Sequence, residues 1–159
     1  MSNNQDPKPI LVGVDGSNSS VDALRFAERL SKALGHPIEA LTAWDYPALT
    51  GYFVAAEWEP ERDARDILDT AIAEAFRSDV PQGLVRTVRN GSPARVLIEA
   101  SSRAEMLVVG SRGRGGFVGL LLGSVSATCA EHARCPVLVM HSALGSAAEV
   151  ADGSGSAEV

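Results

Sequence analysis

The stretch VVGSRGRGGFVGLLLGS, residues 108–124, carries six glycines in seventeen positions. Glycine allows φ > 0 and lets a backbone approach a ligand closely. The stretch follows an apolar run and leads into a segment that reads as a helix opened by Gly123 and Ser124. A helix N-terminus offers unpaired N–H groups and a partial positive charge, both suited to phosphate. The hydroxyls of Ser124 and Ser126 can donate to phosphate oxygens, and Arg112 and Arg114 can add charge. A second unusual strand end stands near the start of the chain, where PILVGV runs into Asp15-Gly16-Ser17. On glycine content alone, a solvent-exposed loop with one capping serine is an equally good reading. Neither common phosphate loop fits. A Walker A loop needs Gly-Lys-Ser/Thr, and no lysine stands before Ser124. A Rossmann G-x-G-x-x-G should follow the first strand, where this chain has only GVDGSNSS.

Strands and helices must alternate to position these residues. PILVGV (9–14) is a short β-branched run of the buried, parallel type. Ser19 or Ser20 can cap a helix with Val21, Leu24, Ala27, Leu30 and Leu34 on one face, stopped by Gly35. PIEALTAW (37–44) is a second strand. A long connection follows, DYPALTGYFVAAEWEP (45–60), whose length suggests a lid or crossover. Ile67, Leu68, Ala71, Ile72, Ala75 and Phe76 form a helical stripe within 61–77. GLVRTVR (83–89) alternates like a strand with a wetter face, as at an edge. Ser92 and Pro93 start a short helix. EMLVVG is a fourth strand, SVSATCAEHA a helix, and CPVLVMH a fifth strand. Five strands joined by helical crossovers imply a parallel sheet with helices on both faces. In open sheets of this kind, ligands sit beyond the carboxyl ends of the strands, where strand order reverses. If the first and fourth strands are neighbours, Asp15 and the glycine-rich segment face one crevice; the pattern itself does not order the strands.

The chain has 159 residues, one domain's length, with 45% hydrophobic and 21% charged residues. A net charge of −6 argues against bulk affinity for nucleic acid or an anionic membrane. No apolar run is long enough to span a bilayer, and MSNNQDPKP lacks the pattern of a signal peptide, so a cytoplasmic location is expected. Cys129 and Cys135, at C-x5-C spacing, match no zinc or redox motif and read as reduced thiols. His36, His132 and His141 do not cluster at metal-ligand spacing, and no structural metal site is expected. The organisation expected is a flexible N-terminus (1–8), one domain (9–141), and a disordered acidic tail (142–159).

Gly110, two residues, Gly113, nine residues, then Gly123-Ser124 make G-x2-G-x9-G-S. With VGVDGS near the start and RCPVLVM near the end, this resembles the ATP-binding branch of the universal stress protein family across nearly the whole chain. The resemblance implies a Rossmann-like, five-stranded parallel sheet of order 3-2-1-4-5, akin to the adenine nucleotide alpha hydrolases. That order makes strands one and four neighbours. It implies ATP across their carboxyl ends. Carried over by position, Gly13, Val14 and Asp15 line the nucleotide, and Ala43 matches the residue whose backbone holds adenine. Val109, Gly110 and Gly113 face the ribose and phosphate chain. Gly123, Ser124, Val125 and Ser126 bind phosphates at the helix N-terminus. Asp15 can accept from the nucleotide or help hold Mg²⁺ through water, or can equally cap its own turn. Trp44 lies near the adenine edge or, as the more frequent role, in the core. Arg114 folds over the phosphates or is solvated.

Three functions are compatible with these residues. The first, and favoured, is a nucleotide-binding regulatory module for stress response that works by population shift. The second is a slow ATPase or phosphotransferase, for which the motif offers no histidine or glutamate and only Asp15 as a nearby carboxylate. The third is a nucleotide-free structural dimer. A homodimer is expected in any case through the last strand, Pro136 to His141, at an apolar sheet edge.

Overall fold

The structure, a computed structural model, describes residues 6–46, 58–113 and 121–142. Arg114, most of the 45–60 connection and the acidic tail beyond Ser142 lie outside the described residues. Nine elements alternate along the chain: β1 (Ile10–Gly13), α1 (Asn18–Leu34), β2 (Ile38–Trp44), α2 (Pro60–Phe76), β3 (Val85–Asn90), α3 (Pro93–Ser101), β4 (Met106–Gly110), α4 (Ser124–His132) and β5 (Val137–Met140). The five strands form one sheet of order β3-β2-β1-β4-β5, and every pairing is parallel. This is the expected order. Ile10 pairs with both Ile38 and Met106, so β1 is the central strand and its carboxyl end lies between those of β2 and β4.

Side-chain alternation divides the core by face. Ile10, Val12, Val14, Ile38, Ala40 and Val108 pack with Leu24 of α1 and Leu68 and Ile72 of α2. Leu11, Leu41, Leu107 and Val109 pack with Val96 and Leu97 of α3 and Cys129 of α4. The central strands are buried on both sides, which explains their unbroken apolar runs.

The helix boundaries follow local chemistry, with one correction. The N-cap of α1 is Ser17, not Ser19 or Ser20. Asp15 Oδ1 accepts from the Ser17 amide at 2.9 Å and from its hydroxyl at 2.5 Å, a side-chain-closed turn that delivers Ser17 extended at the helix start. Ser19 and Ser20 are buried in the first turn, and their hydroxyls donate to Arg112 O and Ser17 O. Gly35, at φ 76°, ends α1 by donating to Ser31 O. Leu34 is 51% exposed, so the apolar stripe of α1 stops short of its last residue. Pro60 begins α2, and Ser92 with Pro93 begins α3 as expected.

At the amino end of the sheet, Glu39 is 5% exposed within β2. Its carboxylate accepts both guanidinium nitrogens of Arg103, at 2.5 and 2.9 Å, and the Thr87 hydroxyl at 2.8 Å. The Arg103 guanidinium, aided by Thr87, holds the Glu39 carboxyl below the usual carboxylate range against the effect of burial.

Candidate functional site at the strand carboxyl ends

A cleft of about 640 Å³ opens across the carboxyl ends of β1, β2 and β4. That is within the range of about 300–1,000 Å³ usual for small-molecule sites. Gly13, Val14, Asp15, Ala43, Val109, Gly110, Gly113, Gly123, Ser124, Val125 and Ser126 all line it. Residues separated by up to 113 positions are thus brought to one place by β1–β4 adjacency and the α4 start. Trp44 does not line the cleft; it is half-buried and meets Tyr46 edge-on at 5.6 Å.

Several lining residues are not part of the motif. Leu41, Pro93 and Leu97 form an apolar wall beside Ala43, while Thr42 and Ile67 contribute from the opposite face of the sheet. Pro93 had a usable signal, because a helix start at the carboxyl end of a strand must face the crevice. Ile67 had a weaker one: it widens the α2 stripe beyond what the core needs, and it is only half-buried.

The phosphate-side scaffold is tied by backbone. The Ser111 amide donates to Met140 O and the Gly123 amide to Ser111 O, each at 2.7 Å. These bonds seat the start of α4 against the end of β4. Gly123 is the N-cap, and among the described residues no side chain caps the first-turn amides of Ser124, Val125 and Ser126. The Ser126 hydroxyl does not project as a phosphate donor. It is buried and donates to Gly110 O at 2.5 Å, which corrects that part of the sequence reading. Burial left this hydroxyl within reach of one carbonyl, and a buried donor takes its partner.

The glycines serve different needs. A Cβ on Gly110 would lie 2.9 Å from Ser19 Cβ, and one on Gly113 would lie 2.8 Å from Asp15 Oδ2. Close packing requires glycine at 110, whereas at 113 the near atom is the end of an exposed side chain that can turn away. A Cβ on Gly123 would meet atoms of the described residues no nearer than 3.5 Å, and its φ of −68° suits any residue. Among the described residues, packing does not require glycine at 123.

A parallel five-stranded α/β protein, with its cleft at the point where strand order reverses around β1, is the class that fold and site define. The Universal stress protein family matches residues 7–141, and the chain belongs to that family. It is 36% identical over 138 residues to Universal stress protein Rv2623 of Mycobacterium tuberculosis, covering 86% of this chain and 46% of the relative. It is 39% identical over 142 residues to Universal stress protein Rv2005c of the same organism, covering 84% and 46%. The chain spans about half the length of these curated relatives. Among solved structures, a universal stress protein in complex with cAMP is 26% identical, with a TM-score of 0.65 over 87% of this chain and 100% of that one. An Arabidopsis thaliana family member with AMP bound is 21% identical, with a TM-score of 0.55 over 88% and 95%.

Proposed function

We propose that this protein binds an adenine nucleotide, ATP foremost, in the cleft at the strand carboxyl ends and acts as a nucleotide-dependent regulatory module of stress response. The observation that carries the reading is Gly123: a helix start opening on the cleft, where among the described residues no side chain caps the first-turn amides and internal packing does not demand a glycine. In this reading the amides of Ser124, Val125 and Ser126 hold phosphates through hydrogen bonds and the helix dipole. The backbone of Ala43 reads adenine between Leu41, Leu97 and Val109, with Gly13 and Val14 beneath. Gly110 and Gly113 run along the ribose and phosphate chain, where Arg114 would close over the phosphates. Mg²⁺, held through phosphates and one or two carboxylates, would find Asp15 as its nearby carboxylate. The relative crystallised with cAMP supports an adenine ligand over other nucleobases.

Binding without efficient turnover is the reading that fits the lining. Among the described lining residues the one carboxylate is Asp15, whose Oδ1 accepts two hydrogen bonds from Ser17, and no histidine or glutamate stands with it to orient a water. A homodimer through the open edge of β5 belongs to the same proposal, as does a cytoplasmic location, which suits the free thiols of Cys129 and Cys135.

Mass spectrometry of the ligand that co-purifies, followed by calorimetry with ATP, AMP and cAMP, tests the reading. Gly123→Val should lower ATP affinity at least about tenfold, since every 1.4 kcal/mol is tenfold and a branched side chain would fill the phosphate position. The fold should survive, at a capping cost of about 1 kcal/mol. Unchanged affinity in a folded Gly123→Val protein would overturn the site.

A further inference from the structure

We propose that the outer edge of β3 docks an extended segment of a partner protein, which adds a strand to the sheet and sets an acidic side chain, flanked two residues away by an aliphatic one, into the hollow between β3 and α2. The site is separate from the cleft and independent of the nucleotide reading. β3 ends the sheet beyond β2, and among the described residues nothing pairs with its outer side. The Gly91 amide donates to Trp44 O at 2.8 Å, so by alternation Thr87 and Arg89 bond inward to β2. The backbone N–H and C=O groups of Arg86 and Val88 therefore point outward. A peptide strand at the usual spacing of about 4.8 Å is complementary to such a row.

Charged side chains ordinarily blunt an open edge by standing across it. β3 carries two, and each is drawn onto a face of the sheet instead. Arg86 Nε lies 3.1 Å from Asp69 Oδ1 on α2, and Arg89 donates to Glu99 of α3 at 3.4 Å. The outward ladder groups between them are left clear among the described residues.

A hollow of about 470 Å³ lies beside this edge, lined by Asp69, Ile72, Ala73, Arg77, Val80 and Arg86. Ile72 is buried at its floor, and Ala73 and Val80 are exposed on its walls. In an added strand, residues two apart share the face toward α2 and would enter this hollow together. Its apolar floor and walls fit an aliphatic side chain. Charge selects the other. Asp69 is the one carboxylate among the lining residues and is paired with Arg86. The Arg77 guanidinium has no ion-pair or hydrogen-bond partner among the described residues, which leaves a positive spot on a chain of net charge −6. The backbone of Arg77 points the same way. Among the described residues it is the one non-glycine at positive φ, at φ 55° and ψ −116°, where a helix end usually has glycine. Strain of this kind concentrates at binding sites and switch regions. An acidic partner side chain gives this arginine its counter-charge.

The test titrates the full chain, labelled for amide NMR, with the acetylated hexapeptide Thr-Val-Thr-Glu-Thr-Val, whose valines and glutamate share one face of a strand. Expected are shifts of the Arg86 and Val88 amides and of residues around the hollow, with Val137 and Val139 on the β5 edge unmoved. N-methylation of the peptide on alternate residues should abolish binding in one of the two alternate patterns and spare it in the other, the signature of strand pairing. Arg77→Gly removes the charge and also relieves the backbone, so the fold should keep its stability. Peptide affinity should nonetheless fall about two- to fivefold, the scale of one exposed ion pair. Replacing the peptide's glutamate by glutamine should cost the same in the wild type and nothing in Arg77→Gly. Affinity unchanged in Arg77→Gly, shifts confined to the β5 edge, or no shift at millimolar peptide would each overturn the proposal, and none of them bears on the nucleotide cleft.

Discussion

Gly110 and Ser19 touch so closely that a methyl group on Gly110 would lie 2.9 Å from Ser19 Cβ and 3.0 Å from its carbonyl carbon. This contact seats the first turn of α1 on the end of β4, and the Ser19 hydroxyl completes it by donating to Arg112 O. Two glycines of the same motif thus differ: internal packing demands glycine at 110 and, among the described residues, makes no such demand at 123.

Gly110→Ala is therefore expected to lower stability, by about 1–3 kcal/mol for an overpacked contact against backbone. Urea denaturation of Gly110→Ala beside Gly123→Val checks the distinction. The first should shift the midpoint clearly and the second by much less. Equal shifts in the two variants would show that position 110 has room the packing does not suggest.

Glu39→Gln should destabilise the fold at pH 7 by about 1–3 kcal/mol, the usual scale for hydrogen bonds to charged groups. Arg103 is half exposed and regains water, which limits the loss. Since Arg103 holds the folded-state carboxyl below its ordinary value of 4.5, this stabilisation is present above that value and is lost as pH falls through the lower folded-state value. Unfolding free energies measured from pH 7 down to pH 3 should converge for the wild type and Glu39→Gln. A constant gap across that range would contradict the assignment.

Cysteine alkylation should be strongly ordered. Burial pushes the Cys129 thiol up to about 11, and Cys129 is wholly inaccessible in the core. Cys135 is also raised by burial but is only half-buried. Because the thiolate is the reacting species, iodoacetamide at pH 8 should modify Cys135 first and reach Cys129 only on unfolding. Peptide mass spectrometry over time reads the order directly.

The open edge of β5 offers a sharp test of dimerisation. Pro136 O and Met140 O accept from β4, so the alternate residues Val137 and Val139 point their backbone groups away from β4. Val139→Pro removes one outward N–H and leaves the β4–β5 ladder in place. Sedimentation should show a wild-type dimer and a Val139→Pro monomer. A monomeric wild type at high concentration would end the dimer proposal.

Much of this protein was legible from local pattern. Apolar runs ending at Val14 and Gly110, helical stripes, Gly35 and the Ser92-Pro93 start each act over a few residues, because periodicity and capping are short-range effects. The spacing of Gly110, Gly113, Gly123 and Ser124 led to the family, whose strand order the sheet has. Other features depend on partners that the sequence does not bring together. Ser17 rather than Ser19 caps α1 because Asp15 closes the turn and Arg112 O draws the Ser19 hydroxyl away. Ile67 reaches the cleft only because α2 packs over β2, and Ser126 turns its hydroxyl to Gly110 O only because α4 begins against the end of β4. Glu39 finds Arg103 across 64 positions of chain. Local propensity sets which elements form; the tertiary structure decides which polar groups lose water together, and each buried group must then take the partner that packing brings within reach.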